Sequence, residues 1–110
     1  MEKKSKIIRT WRGWTTFENA SIYENMLINE VFPAVKKNGV DGLEKVNIST
    51  RNKKNEVEFF LTLQFDSIDS VKKFAGENYE IAYIPENAKR LLLRHENTAE
   101  HYELKKELIL

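Results

Sequence analysis

The chain contains no cysteine. Disulfides, thiolate nucleophiles, cysteine-ligated zinc and iron–sulfur clusters are therefore excluded. Histidine is almost as scarce. His95 and His101 stand six residues apart, and no Asp or Glu completes a recognisable metal motif around them, so no metal site is expected. Glycine occurs at four scattered positions, too few and too dispersed for a phosphate-cradling loop. No serine elbow is present. An excess of one charge is also lacking: 18 Lys and Arg face 17 Asp and Glu, a formal net charge of +1. Such a chain has no general field to draw nucleic acid, and its basic runs stop at Lys3-Lys4 and Lys53-Lys54. No apolar stretch is long enough for a membrane span or a signal peptide, so the expectation is a soluble, cytoplasmic protein with no membrane partner.

What remains is a chain of 110 residues, 41% of them hydrophobic and 32% charged. That length suits one domain, 1–110. A domain of this size buries a smaller share of its surface than a large one, and a partner chain would help to cover it.

Hydrophobic periodicity divides the chain. Lys6 to Trp14 alternates as a strand, with Ile8, Thr10, Arg12 and Trp14 on one face and Ile7, Arg9, Trp11 and Gly13 on the other. Thr15-Thr16-Phe17-Glu18 fits a capping box in which Thr15 accepts from the Glu18 backbone. A long helix follows to about Lys37, with Ala20, Tyr23, Leu27, Val31, Ala34 and Val35 as its buried stripe, widened by Ile22, Met26 and Phe32. Pro33 should kink it, and Asn38-Gly39 should stop it. Leu43–Arg51 and Glu56–Phe65 read as strands joined by the polar turn Asn52-Lys53-Lys54-Asn55. Asp66 or Ser67 can cap a short helix ending at Gly76; Pro85 can open a helical turn running to Leu92; Thr98–Leu104 reads as the last strand.

The order strand, helix, strand, strand, helix, strand is the ferredoxin-like βαββαβ arrangement, an α+β fold with an antiparallel sheet and its helices on one face. Such a sheet leaves its other face bare. The aromatic-rich first strand and the mixed face around Phe60 favour covering it with a second copy, a homodimer.

At this point the chain resembles the antibiotic biosynthesis monooxygenase-like family of dimeric α/β-barrel proteins. The resemblance rests on Arg9-Thr10-Trp11-Arg12-Gly13, Tyr23, Pro33, Phe65-Asp66-Ser67, Phe74-Ala75-Gly76, Ala82-Tyr83-Ile84-Pro85 and His101-Tyr102-Glu103, from about Ile7 to Tyr102. It implies two four-stranded sheets packed face to face across a dimer, and a ligand cleft in each subunit between helices and sheet. It also implies oxidation of aromatic substrates by molecular oxygen without a cofactor. Family members often carry Trp where this chain has Phe65. The haem-degrading branch needs that Trp and a histidine in the second helix, where this chain has Ala75, so haem degradation is not expected.

The candidate site residues follow. His101 is either a general base that takes a proton from a phenol or activated carbon, or a hydrogen-bonded interface histidine. Tyr83 either orients a substrate hydroxyl over the cleft or packs its loop onto the core. Arg9 and Trp11, sharing a strand face, could form with Phe65 an aromatic, cation-edged pocket for a flat anionic or phenolic ligand; the other reading is an interface Trp with Arg stacked on it. RNA binding, which the same fold order can support, needs stacked aromatics with basic flanks, and the balanced charge does not supply them. Two functions therefore stand side by side. One is a cofactor-independent monooxygenase acting on an aromatic or polyketide-like molecule. The other is a non-catalytic dimeric module that binds a small ligand or a protein.

Overall fold

The computed structural model describes residues 5–110; the Lys3-Lys4 pair lies outside them. The centre of the molecule is β1 (Ile7–Thr15). Its odd-numbered positions are buried and its even ones half-buried, the period-two signature of a strand covered on one face only. β3 (Val57–Phe65) pairs with it antiparallel along its full length, from Ile7 opposite Phe65 to Thr15 opposite Val57. β2 (Leu43–Asn52) lies on the far side of β3, and the turn between them closes with the Lys53 N–H donating to the Glu56 carbonyl at 2.8 Å.

The fourth strand position differs from expectation. It is filled by two short pieces, β4 (Leu92–His95) beside Gly13–Thr15 and β5 (Glu100–Glu103) beside Ile7–Thr10. The helical turn expected from Pro85 to Leu92 is shorter, α4 (Glu86–Lys89), and the expected strand Thr98–Leu104 shrinks to β5. Between the pieces, the Glu96 carboxylate takes the Arg12 N–H and the Glu96 N–H donates to the Arg12 carbonyl. The interruption thus keeps its backbone groups bonded while spoiling the period-two pattern that would have revealed β4.

Helices cover one face of this sheet. α1 (Phe17–Met26) starts one residue later than the capping box predicted: Thr16, in extended conformation, accepts from the Asn19 N–H at 3.0 Å, while the Thr15 hydroxyl donates to the Thr16 carbonyl. Pro33 does not simply kink the helix. It has no N–H to donate, and its ring crowds the preceding turn. The chain answers with a π turn, Leu27–Val31, in which the Phe32 N–H reaches back five residues to the Leu27 carbonyl. α2 (Phe32–Lys37) then begins with Pro33 in its first turn, where a missing N–H costs nothing. The extra residue in the π turn moves Ala34 off the buried stripe and keeps Val35 on it; Ile22 also faces outward. Gly39 ends this helix at φ +93° and Gly76 ends α3 (Ile68–Ala75) at the same angle. Ser67, not Asp66, caps α3, accepting from the Ser70 N–H.

Tyr23 packs edge-on against Phe59 at 4.9 Å between ring centres and joins Leu27, Val35 and Val71 over Leu61, Leu63 and Phe65. Among the described residues, no helix is long and apolar enough to cross a membrane.

Candidate functional site

Strand parity places Arg9 on the covered face of β1. Its side chain is 3% exposed. It sits opposite Leu63 of β3 on one side and His101 of β5 on the other. Its partners are all neutral: Nη1 donates to the Tyr79 carbonyl at 2.5 Å and meets His101 Nε2 at 3.0 Å, and Nη2 donates to the Ile81 carbonyl at 3.3 Å. The guanidinium lies over the Phe74 ring at 5.2 Å. Among the described residues no carboxylate lies within ion-pair distance of it. Burial lowers its pKa to about 10, so it remains a cation at neutral pH.

His101 is fixed by this neighbour. A guanidinium can only donate, so His101 Nε2 accepts, and the ring is neutral with its proton on Nδ1. Burial, then the Arg9 charge, hold its pKa below the usual histidine range, with Glu80 acting weakly in the opposite direction. Tyr79 closes on the ring edge-on at 5.0 Å.

Next to Arg9 a cavity of about 40 Å³ opens between the helical layer and the sheet. Its sheet side is Arg9, Trp11, Leu61 and Leu63; Tyr23, Leu27, Val31 and Phe32 roof it from the long helix. Phe74 of α3 and the segment Tyr83-Ile84-Pro85 close the remaining side, with Ala88 behind. The π turn thus supplies two of the roof residues, Leu27 and Val31. Trp11 is held by its Nε1–H, which donates to the Glu96 carbonyl at 2.8 Å, and it stacks on His95 at 6.3 Å. Gly13 lets the indole lie flat along the strand: a Cβ there would stand 2.6 Å from the Trp11 ring. Tyr83 is half-exposed and meets Phe74 edge-on at 5.3 Å.

Of the five residues singled out from sequence, Arg9, Trp11 and Tyr83 line this cavity together. His101 stands behind Arg9 and is not part of the lining. Phe65 is fully buried and touches the lining at one remove, through Phe74 at 5.6 Å. The Tyr79 and Ile81 carbonyls that grip Arg9 could not be foreseen, because backbone acceptors carry no residue signature. Phe74 was legible as an apolar helix position but not as the ring beneath a buried cation. Among the described residues, no three His, Asp or Glu side chains gather where they could hold a metal ion.

The opposite sheet face has another character. Glu58, Phe60 and Gln64 of β3 stand there with Ile8, Arg12 and Trp14 of β1. Glu58 is 5% exposed and is surrounded by Arg51 at 3.1 Å, Lys53 at 3.3 Å and Arg12 at 3.6 Å. Burial raises the Glu58 pKa, but the hydrogen bonds from Arg51 and Lys53 outweigh it and leave the carboxyl below its ordinary range. Guanidinium groups cap both large aromatics, Arg12 over Phe60 at 4.6 Å and Arg94 over Trp14 at 4.4 Å. The Trp14 Nε1–H beneath Arg94 is buried and finds no hydrogen-bond partner among the described residues.

An antiparallel sheet in the order β2-β3-β1-β4/β5 with helices on one face defines a ferredoxin-like α+β protein. No protein-family model matches the sequence. No curated protein matches it either. Solved structures do resemble it in fold. A provisionally assigned antibiotic biosynthesis monooxygenase from Bacillus cereus superposes with a TM-score of 0.66 at 12% identity, covering 96% of this chain and 99% of its own. A dimeric ferredoxin-like protein from an uncultured marine organism gives 0.57 at 13% identity, covering 97% and 94%. The de novo designed protein Foldit4 gives 0.55 at 18%, covering 93% and 99%. Identities this low establish the fold alone, and the presence of a designed protein among the neighbours shows why a fold carries no activity with it.

Proposed function

We propose that the chain works as a homodimer and that the cavity beside Arg9 receives an aromatic or polyketide-like small molecule. The observation that carries this reading is a buried cation at the edge of an otherwise apolar, aromatic-walled cavity, the combination by which pockets both bind and orient flat ligands. The cavity is too small for a ring as it stands, and the half-exposed Tyr83 is the wall with most freedom to swing away. The homodimer reading is supported by the sheet face that holds Trp14 and Phe60, and by the dimeric ferredoxin-like neighbour.

In the catalytic form of this proposal the protein is a cofactor-independent monooxygenase. The cavity desolvates a substrate such as an anthrone, a proton leaves its methylene carbon, and the resulting carbanion reduces oxygen. One oxygen atom becomes the new carbonyl and the other leaves as water, taking both methylene hydrogens. Tyr83 and His101 would manage protons; Arg9 and Trp11 would hold the ring, with Phe65 backing Phe74. A second reading, a non-catalytic ligand-binding module, is favoured by one specific contact: the His101 lone pair that would take the proton already accepts from Arg9. Oxygen uptake with a panel of anthrones and hydroquinones separates them. Turnover that falls at least tenfold in Tyr83→Phe or His101→Ala supports the enzyme; no turnover on any substrate leaves the binding module. Light scattering at micromolar concentration should give twice the monomer mass, and a monomer would sink the paired architecture.

A further inference from the structure

Resting on the ligand-cavity reading, we infer that the ligand is a planar organic monoanion, a carboxylate or an enolate, whose charged oxygens replace solvent as the counter-ion of Arg9. The starting point is an imbalance. Isolated charges are not buried unless something compensates them. Every other cation named above in a buried or half-buried setting has its carboxylate, as Arg12 has Glu58 and Glu96. Arg9, the most buried of them, has two carbonyls and an imidazole lone pair, which satisfy hydrogen bonds but leave the charge unmatched.

The hydrogen-bond arithmetic leaves room for an anion. A guanidinium carries five N–H donors in a flat fork. The two on Nη1 go to Tyr79 and His101, and one on Nη2 goes to Ile81. The Nε–H and the second Nη2–H remain for a ligand, among the described residues. These are donors that two oxygens of one carboxylate or enolate system can share. The charge should be single: among the described residues no second Lys, Arg or His lines the cavity, and His101 is held neutral. The ligand should be planar because Trp11, Phe74 and Tyr83 offer ring surfaces. It should also be sensed by the chain, because Arg9, with the backbone bonds Ala82–Asn97 and Ala99–Glu80, ties Tyr79 and Ile81, at the start of the segment leading to Tyr83, down onto the sheet.

The test uses the full chain and two probes of one shape, 2-naphthoate and 2-naphthamide, titrated calorimetrically at pH 7.5. The wild type should bind the naphthoate at least tenfold more tightly than the amide. Arg9→Met should bind both alike, by loss of naphthoate affinity, and Arg9→Lys should keep part of the preference. Acetate should bind at least tenfold more weakly than naphthoate, because a bare carboxylate lacks the ring contacts. As a check independent of any substitution, the wild type is also followed by the NMR resonance of its arginine Nε–H groups, one of which should shift with naphthoate and not with amide. Equal affinities for the two probes, no binding of either up to millimolar concentration, an undisturbed Nε–H, or a preference that survives in Arg9→Met would each overturn the inference. Failure here is distinct from failure of the wider reading. Equal binding of both probes leaves a ligand cavity without a charge requirement, while naphthoate binding without oxygen uptake leaves the anion site and removes the oxygenase.

Discussion

The two faces of the sheet each bury one charged side chain, and they treat it in opposite ways. On the outer face Glu58 sits among three cations. On the helix-covered face Arg9 sits among neutral acceptors and a Phe ring. Both are almost inaccessible, at 5% and 3% exposure. Compensation within the chain identifies Glu58 as a structural group. Arg9 has no carboxylate partner among the described residues, and the proposed anion would supply the missing charge. The difference also separates what stabilises each face: apolar packing on the inner one, ion pairs and guanidinium caps on the outer one.

The largest effect should come from the packing that Arg9 rests on. Phe65→Ala removes a fully buried ring and should lower stability by about 3–5 kcal/mol in urea unfolding, the usual range for such truncations. Phe65→Leu should recover most of that and leave naphthoate affinity within about twofold, because Phe65 touches the cavity only through Phe74. A large affinity loss in the folded Leu variant would place Phe65 in the site itself. Gly13→Ala comes next. Its Cβ would meet the Trp11 ring, which must shift, at a cost of about 1–3 kcal/mol and with a changed tryptophan emission. An unchanged emission spectrum would mean the indole is not held where the geometry places it.

The charges themselves should have smaller effects. Glu58→Gln leaves three cations facing one another and should destabilise by about 1 kcal/mol, a modest figure because Arg12, Arg51 and Lys53 all keep solvent access. The folded-state pKa of Glu58 is depressed, so its contribution is present above the unfolded carboxylate value and is lost as pH falls through the folded one. The gap between wild type and Glu58→Gln should therefore close at strongly acidic pH. Arg9→Met should cost no more than about 1 kcal/mol, because removing an unmatched buried ion offsets leaving the Tyr79 and Ile81 carbonyls and His101 Nε2 without their donor. A loss of several kcal/mol in Arg9→Met would erase the contrast between the faces.

Much of this was legible in the sequence. The uninterrupted alternation of β1 and β3 set both faces, and Gly39 and Gly76 announced two helix ends. What stayed hidden has physical causes. β4 is four residues long and follows an irregular link, so no periodicity accumulates over it. The π turn arises from Pro33 but lies upstream of it, and it moved Ala34 out of the core. At the site, Arg9, Trp11 and Tyr83 could be proposed from residue type, the shared strand face of Arg9 and Trp11 and the family resemblance, although parity alone left open which face of β1 turns inward. The grip of the Tyr79 and Ile81 carbonyls on Arg9 could not, because it depends on where a loop without regular structure comes to rest.

The smallest effect concerns His101, and it bears on whether this side chain serves the cavity directly or through Arg9. Its pKa is lowered by burial first and by the Arg9 charge second. A histidine with a depressed folded-state pKa binds its proton more readily when unfolded. Its penalty is absent above the unfolded value of about 6.5 and grows as pH falls towards the folded value. The melting temperature should therefore drop as pH falls below about 6.5, above the range where the Glu58 carboxyl titrates. His101→Gln keeps an acceptor for Arg9 and has no proton to gain, so it should flatten that decline. At pH 7.5 it should also keep the naphthoate preference within about threefold, as expected of a group that positions Arg9. His101→Leu offers no acceptor to Arg9, and there the preference should weaken further. If Gln and Leu weakened it equally, His101 would be acting on the ligand itself, and the base assigned to it in the oxygenase reading would regain its place.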